Sequence, residues 1–102
     1  MHYQFGDVVL VPFPFTDQSA AKKRPGVVVS STEYHKARRD LILMAATSQM
    51  RSTDTFGELI VHDWQTAKFL KPSALKPVLA TLDRSLVIGT PGRLSAGDQQ
   101  RL

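Results

Sequence analysis

Six apolar runs of three to five residues recur along the chain: Val8 to Val11, Val27 to Val29, Leu41 to Met44, Leu59 to Val61, Val78 to Leu82 and Leu86 to Ile88. Each is too short for an independent helix, and β-branched residues dominate the first two and recur in most of the others, a strand signature. Turn chemistry separates them, at Gly6-Asp7, Pro25-Gly26, Ser52-Thr53-Asp54 and Pro91-Gly92. Short strands at this spacing build a mainly β fold, a small barrel or sandwich. The runs are continuous rather than alternating, so both strand faces need cover. A chain of 102 residues is expected to form one domain, 1–102, and has little helix with which to cover its strands. A homodimer is therefore expected.

Two short helices are expected. Asp63 to Leu70 can make about two turns, with Asp63 as N-cap, Trp64, Ala67 and Leu70 on one face, and Pro72 as the stop. Ser95-Ala96-Gly97-Asp98 has capping-box form with Asp in the Glu position, which predicts a short helix closing the chain through Leu102.

Several chemistries drop out. The chain has no cysteine, which removes disulfides, thiolate nucleophiles and Cys-ligated metals and fits a reducing cytoplasm. His2, His35 and His62 are scattered without ligand spacing, so no metal site is expected. Neither GxGxxG nor GxxxxGK[ST] occurs, and no nucleotide cofactor is expected. MHYQFGDVVLV lacks the form of a secretory signal, and no apolar run approaches the ~20 residues of a membrane span. A formal net charge of +4 favours a polyanion or an acidic protein as partner.

Two segments carry the candidate chemistry. Lys22-Lys23-Arg24-Pro25 joins three cations to the mouth of the valine strand. Pro25 holds Arg24 in extended geometry, so a sheet-anchored guanidinium can grip phosphate bidentately, while Lys22 and Lys23 are expected on the preceding loop. Ala46-Thr47-Ser48-Gln49 follows LILMA and sets two hydroxyls and an amide at a strand end, where they can bond phosphate or base edges. Taken singly, each segment is equally well a solvated hairpin or a strand-ending turn.

In order along the chain, Gly6 to Asp17 (GDVVLVPFPFTD), Lys23-Arg24-Pro25, Val27 to Ser30, Ala46 to Gln49, Leu70-Lys71-Pro72-Ser73, Thr81 to Leu86 and Gly92 to Ser95 together resemble the MazF/PemK toxins of bacterial type II toxin–antitoxin systems. The resemblance implies an SH3-like barrel of the plasmid-toxin, CcdB–MazF type with short helices. It further implies a cytoplasmic homodimer that cleaves single-stranded RNA without metal and is silenced by an acidic antitoxin. The family's catalytic arginine maps onto Arg24 and its threonine onto Thr47. Asp17, Lys22, Lys23, Ser48, Gln49 and Lys76 are the expected RNA contacts, with Asp17, and behind it His35 in an exposed turn, as candidates for proton transfer. Two departures stand out. Ala20 and Ala21 occupy the loop where some members carry a glutamate, and Leu75-Lys76-Pro77-Val78 replaces an Arg and Asp pair of others. A non-catalytic RNA-binding barrel, or a toxin that acts on a protein such as gyrase, remain the alternatives.

Overall fold

The computed structural model describes residues 2–13, 22–48 and 59–102. It is mainly β. Strands β1 (Asp7–Phe13), β2 (Lys22–Val28), β3 (Asp40–Thr47), β4 (Leu59–Ile60), β5 (Ala74–Asp83) and β6 (Gly89–Arg93) form one antiparallel sheet in the order β4-β5-β3-β2-β1-β6. The sheet curls into a half-barrel, and helices α1 (Thr32–Ala37) and α2 (Ala96–Arg101) are one to two turns each.

The continuous valine runs are buried on both faces, as their composition requires. Val9, Val11 and Val28 point into one cluster with Tyr3, Leu41, Leu43 and Ala45. Val8 and Val27 point the other way, into a second cluster with Val61, Ala67, Phe69, Leu75 and Leu94. Each fully buried valine or leucine is worth about 1.5–3 kcal/mol, so adjacent residues of one strand stabilise two separate cores.

Other runs behave differently. Val78 and Leu79 of β5 are 43% and 62% exposed, because β4 pairs only with Ala74 and Leu75 and leaves the rest of that strand edge uncovered among the described residues. Leu86 ends a 3-10 turn and Ile88 is half exposed, so that run is not a strand. The strand lies next to it, at Gly89–Arg93, over residues read as a turn. It is an edge strand, where proline at 91 costs no ladder bond to a further neighbour.

His35 also departs from expectation. It lies on α1 and is 9% exposed. Its Nδ1 is 2.9 Å from the Tyr3 carbonyl oxygen and must donate to it, so its Nε2 accepts from the Ser30 hydroxyl at 2.5 Å. Ser30 Oγ in turn accepts from the Ile42 N–H at 3.1 Å. The imidazole thus ties the N-terminus and α1 to the sheet, and is not placed for proton transfer in solvent. Arg84 secures the other end of α1, donating to the carbonyls of His35 and Arg38 at 2.8 and 2.7 Å. These are the helix-end carbonyls that have no partner within the helix.

Candidate functional site

β2 is an interior strand that contains a proline, and the consequences define the site. Val29 N–H donates to the Ile42 carbonyl, whereas the Val28 carbonyl accepts from Gly6, so the odd-numbered backbone groups of this strand face β3. Pro25 falls on that side and has no N–H to give. Pairing between β2 and β3 accordingly stops at Gly26↔Ala45. Continuing the same register two residues further sets Arg24 opposite Thr47, on a shared face, at the point where the two strands are released from one another. On its other side Arg24 remains paired with Val11 of β1, which keeps its backbone extended.

A cavity of about 560 Å³ opens at this end of the sheet. Arg24, Thr47, Ser48, Lys23 and Lys76 all line it, so five of the sequence-derived contacts meet in one place. Arg24, Thr47 and Lys76 are half-buried, while Lys23 and Ser48 are exposed. Lys22 and Lys23 belong to β2, paired with Phe13 and Pro12, and not to the loop before it. Asp17 and Gln49 lie outside the described residues. Lys76 reaches the cavity through an irregularity in β5. Between the pairs Met44↔Leu79 and Ala46↔Leu75, β3 has only Ala45 while β5 has Lys76, Pro77 and Val78. The extra residues make a bulge that bends the strand and turns Lys76 toward the cavity wall.

One part of the cavity lining was not anticipated as part of the site. Lys68, Phe69 and Leu70, from the segment expected to be a capped helix, contribute it together with Lys71 and Ser73 just beyond. That segment is a single hydrogen-bonded turn. The Ala67 N–H donates to the Asp63 carbonyl, Phe69 N–H to Trp64, and Lys68 N–H to Gln65. The last two bonds are the crossed pair of a Schellman motif, with Lys68 in the left-handed position at φ +70° that glycine usually fills. Phe69 and Trp64 supply the accompanying apolar contact on the second core cluster. Leu70, expected on one face with Trp64 and Ala67, is instead 96% exposed and lines the cavity.

Asp98 holds this loop in place, and Asp63 is capped rather than capping. Half of the expected box at Ser95 forms, with the Asp98 N–H donating to Ser95 Oγ at 3.2 Å. The Asp98 carboxylate then reaches across the chain to accept the N–H groups of His62 and Asp63 at 3.1 and 2.9 Å, and pairs with Arg101. Burial alone would raise its pKa, but those two N–H donors and the Arg101 guanidinium outweigh it and hold the carboxyl below its ordinary value. Gly92 of β6 completes the mounting. A Cβ there would overlap the Ala67 carbonyl, so only glycine lets the loop backbone lie on the strand.

The cavity lining carries five cations, Lys23, Arg24, Lys68, Lys71 and Lys76, and no carboxylate among the described residues. No group of three or more potential metal-ligating side chains gathers among the described residues, and no described helix is long and apolar enough to cross a membrane. Such a wall repels a divalent cation and attracts a polyanion. The family model of PemK-like, MazF-like toxins of type II toxin–antitoxin systems matches residues 4–102, nearly the whole chain. No curated protein matches the chain.

Proposed function

Because the chain belongs to the PemK-like, MazF-like family of type II toxins, we propose that it is a toxin that cleaves single-stranded RNA without metal and is neutralised by an acidic antitoxin. The observation that carries this reading is the register-opposed pair Arg24 and Thr47 at the mouth of a cavity walled by cations.

RNA brings its own nucleophile, the 2′-hydroxyl beside each phosphodiester. Its oxygen attacks phosphorus, the bond to the 5′-oxygen breaks, and the products are a 2′,3′-cyclic phosphate and a 5′-hydroxyl. Charge grows on the non-bridging oxygens in the transition state. A sheet-anchored guanidinium and a hydroxyl donor opposite it are suited to receive that charge without reorganising. Arg24 is assigned to charge stabilisation and not to proton removal. Asp17 is the proposed proton-transfer group. Lys22, Lys23, Lys76, Ser48 and Gln49 hold the strand, mainly through its phosphates.

The chain acts in this reading as a cytoplasmic homodimer. The uncovered apolar edge of β5, with Val78 and Leu79, is the proposed contact between copies. An antitoxin segment rich in Asp and Glu would be steered to the same cationic cavity and would displace RNA from Arg24.

The absence of carboxylate and imidazole from the cavity lining among the described residues favours one second reading, a barrel that binds RNA without cutting it. Incubation of the purified protein with mixed-sequence single-stranded RNA in excess EDTA separates the two. Cleavage undiminished by EDTA is expected. Tight binding with intact RNA would select the second reading.

A further inference from the structure

We propose that Lys68 is a dedicated phosphate contact, set in the lining of the cavity that Arg24 and Thr47 also line by a left-handed turn that it is chemically unsuited to fill. The inference deepens the RNA reading above and rests on it. A lysine at the left-handed position of a Schellman motif is disfavoured relative to glycine or asparagine, and such outliers persist where the surroundings impose them. Here the surroundings do so from two directions. Asp98 pins the start of the turn, and the close approach of Ala67 to Gly92 pins its end.

The side chain is also provided with a path. Lys68 Cγ lies 2.8 Å from where a Cβ of residue 92 would stand, so the missing side chain of Gly92 leaves room for the lysine stem to run along β6. The residue lines the cavity, and among the described residues no carboxylate pairs with it. A turn needing only a left-handed residue has no use for a long cation. A strand of RNA that presents one phosphate to Arg24 and Thr47 has a neighbouring phosphate to present to another cation of the same lining.

Lys68→Gly makes the test direct, because it removes the charge while giving the turn its preferred residue. The probe is a 2′-O-methyl single-stranded oligonucleotide, whose blocked nucleophile separates binding from cleavage. Lys68→Gly is expected to unfold at or above the midpoint of the unsubstituted protein. The slope of its log affinity against log salt should be shallower by about 0.7, the share of one phosphate contact on a single strand, which is roughly fivefold weaker binding at 0.1 M salt relative to a 1 M reference. Lys68→Arg should restore slope and affinity, and Lys68→Asn supplies a second neutral variant if glycine loosens the loop. Unchanged slope and affinity in the neutral variants, with RNA cleavage intact, would overturn this inference alone. Lys68-dependent binding by a protein that leaves unmodified RNA uncut would support it and overturn the ribonuclease reading. Failure of the unsubstituted protein to bind the oligonucleotide would overturn both.

Discussion

Arg24→Ala should lower RNA-cleaving turnover by about 10²–10³-fold, the loss expected when one preorganised donor to a developing oxyanion is removed. The expectation rests on how the side chain is held. Arg24 is the third residue of β2 and is paired to Val11 of β1, so its backbone is fixed, and it lines the same cavity as Thr47. Lys22→Ala and Lys23→Ala should behave differently. Each should leave turnover near that of the unsubstituted protein while weakening RNA binding and lessening its salt dependence. Single-turnover cleavage at saturating RNA, beside binding at several salt concentrations, resolves the two patterns. Small and equal effects from all three substitutions would mean that the cations act as a diffuse patch with no dedicated transition-state contact.

Asp98→Asn should produce the largest loss of stability, about 3 kcal/mol at neutral pH, since it weakens hydrogen bonds made to a buried charged acceptor, each worth about 1.5–3 kcal/mol. Asp98 is 1% exposed and receives two backbone N–H groups as well as Arg101. Its carboxyl is held below the ordinary value, so the folded state favours the ionised form. The stabilisation is therefore fully present above the unfolded carboxylate value of about 3.9, and is lost as pH falls through the lower folded value. Denaturant unfolding of both proteins across pH 2–7 should show their difference widest near neutrality and narrowing in acid. A difference that stays constant with pH would show that shape, and not charge, accounts for the effect. The same substitution loosens the loop that carries Lys68 and Lys71, so RNA affinity should fall with stability.

How far these features could be read in advance depends on where their causes lie. Val8 to Val11 and Val27 to Val29 announce strands buried on two faces, because β-branched runs without alternation have few other uses. The meeting of Arg24 with Thr47 was legible in outline, since both stand at strand ends in an ordered set of family-like segments, but its cause is a register fixed by distant pairing. The turn-like composition of Gly89–Arg93 concealed an edge strand, which tolerates proline and needs Gly92 for the approach of Ala67. At Ser95-Ala96-Gly97-Asp98 the local cap was visible, whereas the two backbone N–H partners of the carboxylate stand 35 and 36 residues away. Lys68 gave no signal at all, because no residue type marks a left-handed turn when glycine is absent from it. Leu70-Lys71-Pro72-Ser73 did stand out as a family-like string, yet only the folded chain brings Leu70, Lys71 and Ser73 into the cavity that Arg24 lines.

The chemical identity of the RNA ends bears most directly on the proposed cleavage. A defined single-stranded RNA, cut in EDTA and examined by mass spectrometry, should yield upstream fragments ending in a 2′,3′-cyclic phosphate and downstream fragments beginning with a 5′-hydroxyl. A matched RNA carrying 2′-deoxyribose at the cut position should bind and stay whole. Fragments bearing 5′-phosphate ends, or cleavage at the deoxy position, would contradict attack by the 2′-hydroxyl between Arg24 and Thr47.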